Sequence, residues 1–486
     1  MSESYNPILD RIIWQLRSVS QTKYLLMKKF SILLLLFLSA FQGLLFSQQK
    51  VWTLDECIFY AIDNNIQIKQ QDLQTKYQKN ALDLSKFRLL PTIAGSGSQN
   101  YSWGRSLDQT TYRYTEDQRV ISNNFYVGGS MNVFNGLQNY NTIKKYEYEL
   151  LAGEQDLQNI KENISLTVAL NYLQILLNKE LVTATKEQLQ ITLQQIEKTR
   201  KLVDAGSTAR GNLLQIEAQA AQEELQLINI KNQLDISYLD ISQLLELKTP
   251  EGFEVVVPPI SIDTNAVIGE TIDEIFEIAI GARPSIKSPE LMLTASEYDL
   301  KIAKGSRSPR ISMNHSLTTG YSDVRQKILG LDPSTSEILY GDYPFNEQFK
   351  DNRSLALGFT LSVPILNGWQ VNKSIANSRL SIENSKYALD GAKKQLYKNI
   401  QQSFADASAA LKKYAASQKA VTSMEEAFRY TEQKFNVGLV TPVDYNASKS
   451  QLLKAQSDLA QSKYEYIFKT KVLDFYRGIP LSLNNN

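Results

Sequence analysis

Cysteine and histidine are almost missing: Cys57 and His315 are the only ones in 486 residues. A single thiol excludes a disulfide framework within the chain, and one thiol with one imidazole cannot form a Cys/His metal site. No Ser/His/Asp set can be assembled convincingly around the lone histidine. The adjacent acids Asp55-Glu56 and Asp273-Glu274 fall inside helix-start signals, which account for them without a catalytic role. Basic excess is also absent, with 52 Lys and Arg against 51 Asp and Glu, so nothing points to a nucleic-acid partner. No catalytic, metal or cofactor-binding residue is assigned, and no cofactor is expected. Proline is missing from the whole of 137–202, where Gly153 is the only glycine. At ~1.5 Å per residue that run makes a helix on the order of 100 Å long, far beyond the usual globular helix.

What is present begins with an export signal. Met27-Lys28-Lys29 and the apolar run Phe30 to Leu38 read as a signal peptide, cut near Ser47-Gln48. The apolar run is short for an uncleaved membrane anchor. Residues 1–26 precede a plausible start at Met27 and read as an over-extended frame. Cys57 lies beyond the cut, inside a helical pattern, which argues against a lipidated N-terminus.

The mature chain repeats itself. Thr53-Leu54-Asp55-Glu56 is a capping box, and Thr271-Ile272-Asp273-Glu274 matches it at an offset of 218 residues. Each box opens a short helix; a second helix follows and stops before Pro91 or Pro309, again 218 apart. Strand chemistry comes next (about 91–103 and 309–321), then a polar loop of about 20 residues from Arg105, or about 30 from Ser322. A returning strand (about 124–134 and 354–365) ends at Asn135-Gly136 or Asn367-Gly368, the breaks between strand and helix. Long helical hairpins then occupy 137–247 and 369–476. Their turns are Ala205-Gly206-Ser207-Thr208 and Val437-Gly438-Leu439-Val440. Gly136 to Gly368 and Gly206 to Gly438 are both 232 residues apart, so the hairpins hold a fixed axial register. Between the copies, 248–270 is a non-helical link, and 480–486 is a polar tail. Leu166, Leu170, Leu173 and Leu176-Leu177, and Leu411, Val421 and Ala427, read as packing stripes between helices.

In the returning strand, Leu355, Leu357, Phe359, Leu361 and Val363 point one way. Ala356, Gly358, Thr360 and Ser362 point the other. That alternation fits either the wall of a transmembrane barrel or a sheet over a soluble core. Four strands are too few to close a barrel, and open edges do not exist in lipid, so several chains would have to contribute.

The layout of short helix, helix, strand, loop, strand, long helix, turn and helix, twice over behind a signal peptide, resembles the TolC-like outer membrane efflux proteins. The likeness runs from Thr53 to about Ile479. It is sharpest at Lys201-Leu202-Val203-Asp204-Ala205-Gly206 and at Lys434 to Asp444. The resemblance implies a mainly α fold with a membrane β part: a duplicated TolC-like fold whose long hairpins form a periplasmic tunnel. Four strands per chain would contribute to a homotrimeric 12-stranded barrel in outer-membrane lipid. The domains would be 1–47, upstream segment and signal; 48–247, first repeat; 248–270, equatorial linker; and 271–479, second repeat. The function implied is a passive exit duct of a tripartite efflux or type I secretion system. A periplasmic adaptor (a membrane fusion protein) and an inner-membrane pump would open its tip.

On the same resemblance, the two hairpin turns would meet the adaptor, and Asp444, Asn212 and Thr441 would lie at the periplasmic gate. Three Asp444 carboxylates around a threefold axis would raise one another's pKa and attract cations. A competing reading makes Asp444 simply an acid favoured in the first turn of a helix. The family's second acidic position is Ala447 here, and the Arg and Asp of its ionic latch correspond to Val440 and Asn212. Closure is therefore expected to depend on packing and hydrogen bonds. The alternative for the whole chain is a soluble periplasmic coiled-coil tether or adaptor, which leaves the two strand pairs unexplained.

Overall fold

The computed structural model describes residues 51–105, 107, 114, 116–259, 262 and 269–483. The upstream segment, the signal peptide and the last three residues of the tail lie outside this range. The described residues form two units. In the smaller, β1 (Val51–Trp52) pairs in parallel with β4 (Glu254–Val255), with the Trp52 and Phe253 rings 5.7 Å apart. The link between the repeats thus contains a strand as well as irregular chain.

The larger unit contains the repeats. The first runs α1 (Leu54–Asn64), α2 (Ile66–Phe87), β2 (Thr92–Gly104), β3 (Gln118–Phe134), α3 (Gln138–Asp204) and α4 (Arg210–Leu244). The second runs α5 (Ile272–Ala282), α6 (Pro284–Gly305), β5 (Arg310–Ser322), β6 (Lys327–Leu331), β7 (Ile338–Gly341), α7 (Phe345–Asp351), β8 (Ser354–Ser362), α8 (Gln370–Asn436) and α9 (Pro442–Tyr476). Corresponding helices match in length: 11, 22, 67 and 35 residues in both copies. Any slip of one hairpin against the other would misalign every contact along a pair of helices on the order of 100 Å long.

Several boundaries differ from the sequence reading. β3 begins at Gln118, so part of the first expected loop is wall, paired from Gly104↔Gln118 onward. The longer second loop is ordered structure, a β6–β7 hairpin followed by α7. β8 stops at Ser362 and α4 at Leu244. The long helices start one residue later than expected because Leu137 (φ 61°) and Trp369 (φ 63°) take left-handed backbone directly after Gly136 and Gly368. Two bulky residues, both well exposed, accept a conformation that costs non-glycine residues roughly 1–2 kcal/mol. Their recurrence at the same place of the repeat shows that this sharp turn is how strand passes into long helix. Of the packing stripes, Leu173, Leu176 and Val421 are buried, whereas Leu170 and Ala427 face outward, because a regular helix carries the apolar face round through Val168, Ala169 and Tyr172.

The short helix pairs are pinned to the ends of the returning helices. Thr271 and Glu274 form the expected capping box, with Thr271 N donating to Glu274 Oε2 at 2.7 Å. Between α1 and α2, Asn65 Nδ2 donates to the Leu244 carbonyl at 3.0 Å. At the matching junction of the second copy, Arg283 Nη1 donates to the Phe475 carbonyl at 2.6 Å, lies over the Phe475 ring and pairs with Glu162. Ile275, Ala279, Ile286, Leu396, Ile400, Ala407 and Leu473 form the adjoining apolar cluster.

Candidate functional site

Two regions fit a channel: the strand wall and the hairpin turns. The wall is one antiparallel sheet in the order β2-β3-β5-β8. Residues paired across antiparallel strands project to the same face, so the register defines two rows. One is mainly apolar: Ile311↔Leu361, Met313↔Phe359, His315↔Leu357 and Leu317↔Leu355, continuing through Val127 and Phe125, with His315 its polar member. The opposite face holds Ser312↔Thr360, Asn314↔Gly358, Ser316↔Ala356, Ser130 and Thr92. On β8 the apolar row stands exposed, with Leu355 at 80% and Phe359 at 66%, and among the described residues only Phe345 and Phe349, over Phe125, pack on the row as rings. β2 and β8 are the edges of this sheet and pair on one side only.

α7 completes the wall where β8 stops short. β8 begins opposite Thr318, which leaves Thr319 to Ser322 of β5 without a strand on that side. Gln348, fully buried, fills the gap with its amide: Ser322 N donates to its Oε1 at 3.0 Å, and its Nε2 donates to the Ser322 carbonyl at 2.9 Å. Asn352 Nδ2 donates to the Gly320 carbonyl at 2.6 Å. Phe345 and Phe349 pack on Phe125, whose ring centroid is 6.2 and 5.6 Å from theirs.

At the far end of the helices, both hairpins turn in the same way. Ser207 N donates to the Leu202 carbonyl at 2.8 Å and Leu439 N to the Lys434 carbonyl at 2.9 Å. Gly206 (φ 74°) and Gly438 (φ 77°) supply the left-handed residue that this helix ending requires. Asn212 and Asp444 occupy the same position of the repeat, the third residue of the returning helix, but they are not brought together. Asn212 Nδ2 donates to Thr208 Oγ1 at 3.0 Å. Asp444 closes a capping box: its Oδ2 accepts from Thr441 Oγ1 at 2.7 Å and Thr441 N at 3.3 Å, while Asp444 N donates to Thr441 Oγ1. Thr441 and Asp444 therefore stiffen the second turn; in the first, Ala209 has no capping side chain.

Behind the second turn, Tyr445 is buried against Phe435, stacked at 4.5 Å, and Phe428 at 5.4 Å. Burial, with Glu432 and Glu223 nearby, pushes its phenol up to about 12. Behind the first, Ile196, Ile216 and Ala220 pack together. One turn above Tyr445 on α9 is a group that the sequence reading passed over: Lys449, enclosed with Glu223 of α4 and Thr192 of α3. Its signal was a lysine at four-residue spacing between Tyr445 and Leu453, the buried stripe of α9.

The outer membrane efflux protein model matches this chain twice, over residues 58–246 and 276–473. The chain belongs to the outer membrane efflux protein family. The two matched segments follow the duplication seen in the fold. Among relatives, the alkaline protease secretion protein AprF of Pseudomonas aeruginosa is 20% identical over 431 residues, 86% of this chain and 83% of AprF. The TolC outer membrane protein of Vibrio cholerae is 20% identical over 90% of this chain and 92% of its own. Among solved structures, CusC matches with a TM-score of 0.73 at 14% identity, over 88% of this chain and 92% of CusC. VceC of Vibrio cholerae matches at 0.70 and 15% identity, over 87% and 96%. The efflux family chain is thus an outer-membrane channel protein with a duplicated TolC-like fold and a periplasmic helical tunnel. The tether reading falls, since it provides no use for the strand wall. The named relatives are channels and secretion proteins, not enzymes.

Proposed function

We propose that three copies of this chain close one 12-stranded barrel and act as a passive exit duct. A periplasmic adaptor and an inner-membrane pump would open the duct at the hairpin turns. The observation that carries this reading is the four-stranded sheet with an exposed apolar row and two edge strands. Edge N–H and C=O groups left unpaired in lipid cost several kcal/mol each, so β2 and β8 need partners. A second copy supplies them: β8 of one subunit against β2 of the next, repeated until the ring closes. A 12-stranded ring is wider than an eight-stranded one, which side chains just fill, so a passage lined by Ser, Thr, Asn and Gly remains.

The two turns, Ala205 to Thr208 and Val437 to Val440, are the surfaces offered to the adaptor. Asp444, Asn212 and Thr441 lie beside them at the periplasmic mouth. Opening then moves the turns outward while the upper helices stay packed. The cargo class, efflux substrate or secreted polypeptide, is set by the pump. Outer-membrane fractionation, detergent extraction and mass determination test the assembly. A trimer is expected, and a monomer or dimer in the soluble periplasmic fraction would overturn the reading. In a planar bilayer, Asp444→Ala is expected to reduce cation preference; an unchanged preference would remove Asp444 from the mouth.

A further inference from the structure

Lys449 and Glu223 are 2% and 3% exposed, and Thr192 is 2% exposed. Buried charges are found where something requires them, because taking an ammonium and a carboxylate out of water is costly. Here the ammonium has two hydrogen-bond acceptors and a carboxylate beside it. Lys449 Nζ donates to the Gln188 carbonyl at 3.1 Å and to Thr192 Oγ1, and lies 3.7 Å from Glu223 Oε1. Thr192 Oγ1 has one hydrogen, which goes to Glu223 Oε2, and its lone pair takes the lysine proton. Gln219 Nε2 donates to the other carboxylate oxygen at 3.0 Å. One side chain of the second hairpin thus ends in a socket built by both helices of the first.

Two features set this socket apart from general packing. It lies on α9 two helical turns above the Thr441 cap, about 10 Å from the turn. Nearer the turn, the tie from Lys198 Nζ to Asn436 Oδ1 is exposed to water. The socket also breaks the repeat: at the 232-residue offset, Lys449 corresponds to Glu217, Glu223 to Ala455 and Thr192 to Met424. Helix lengths are preserved between the copies, while this cluster belongs to one direction only, the second hairpin entering the first. The two hairpins are therefore not equivalent at the mouth.

We propose that Lys449, seated on Glu223 and Thr192, is a positioning residue that holds the lower arm of the second hairpin against the first and so keeps the mouth closed. This rests on the duct reading above. α9 cannot swing away without breaking the Lys449 hydrogen bonds to the Gln188 carbonyl and Thr192 and its pairing with Glu223, so the socket favours the closed arrangement over a splayed one.

The test compares the full-length protein with four variants in planar bilayers, alongside the thermal stability of the purified particle. Lys449→Met removes the tie while keeping the stem. Glu223→Gln keeps the size, removes the charge and replaces one acceptor oxygen with a donor, and serves if Lys449→Met does not assemble. Arg283→Met is the control: it breaks a partly buried pair, Arg283 with Glu162, at the junction of α5 and α6 instead of beside a hairpin turn. Lys449→Met and Glu223→Gln are expected to raise resting conductance at least about tenfold, as loss of a buried ion-pair partner should. Arg283→Met should lower stability without raising conductance. The exchanged pair Lys449→Glu with Glu223→Lys should return conductance toward the native value. Equal conductance from the socket variants and Arg283→Met, or no rise from the former, would overturn the positioning role while leaving the duct intact. A native protein that forms no channel would remove both.

Discussion

The two strand-to-helix turns offer an internal experiment, because the repeat places the same backbone in two different surroundings. Gly136 has φ 67° and Gly368 φ 61°. Alanine at either position meets the same left-handed penalty, roughly 1–2 kcal/mol. The surroundings differ. A Cβ on Gly136 would lie 2.4 Å from the Gly305 carbonyl oxygen and 2.5 Å from Ser308 Cβ, whereas a Cβ on Gly368 would have no neighbour within 4 Å. The Gly305 oxygen is backbone at the end of α6 and cannot rotate away, so Gly136→Ala also forces α3 and α6 apart. Overpacking of this kind costs a further ~1–3 kcal/mol. Gly136→Ala should therefore destabilise by about 2–5 kcal/mol and Gly368→Ala by about 1–2. The assay is the rate of loss of helical circular dichroism on heating in detergent, since a large membrane assembly reports stability as a rate. Gly136→Ala should lose structure several-fold faster than Gly368→Ala. Equal rates would refute the claim that contact with α6 is what fixes Gly136.

Thr441→Ala removes the cap of α9 and should cost about 1 kcal/mol locally, seen as faster amide exchange in the first turn of α9 but not of α4. Gln348→Ala leaves Ser322 N without its acceptor, while the Ser322 carbonyl keeps Arg325 N at 3.3 Å, and should cost about 1–3 kcal/mol, seen as faster exchange at the outer end of β5 with the rest of the sheet unchanged. Tyr445 has a folded pKa raised above its ordinary value of 10 to about 12. Its stabilising contribution is thus complete below about pH 10 and is lost as pH rises toward 12. Tyr445→Phe should flatten the stability profile across that window, and an unchanged profile would mean that the phenol is not held neutral by burial.

The sequence by itself determined the fold class. A 232-residue offset that recurs from strand break to hairpin turn leaves no room for an insertion in either hairpin, and proline-free runs of that length have no other regular conformation. The alternation in 354–365 already separated an apolar row from a small polar one, because a strand's period of two is written directly in residue order. Local chemistry was legible for the same reason: Thr441, Pro442 and Asp444 lie within one helical turn, so the capping box and the sequence motif are the same object. What only the tertiary structure decided involves residues far apart in the chain. Nothing near Gln348 indicates that its amide will stand in for a missing strand beside Ser322. The left-handed backbone of Leu137 and Trp369 goes against their intrinsic preference and is imposed by the turn. Lys449, Glu223 and Thr192 are separated by up to 257 residues and read singly as solvated positions on polar helices. They become a buried socket because three helices in fixed register bring their faces to one point, and that register is a property of the packed hairpins.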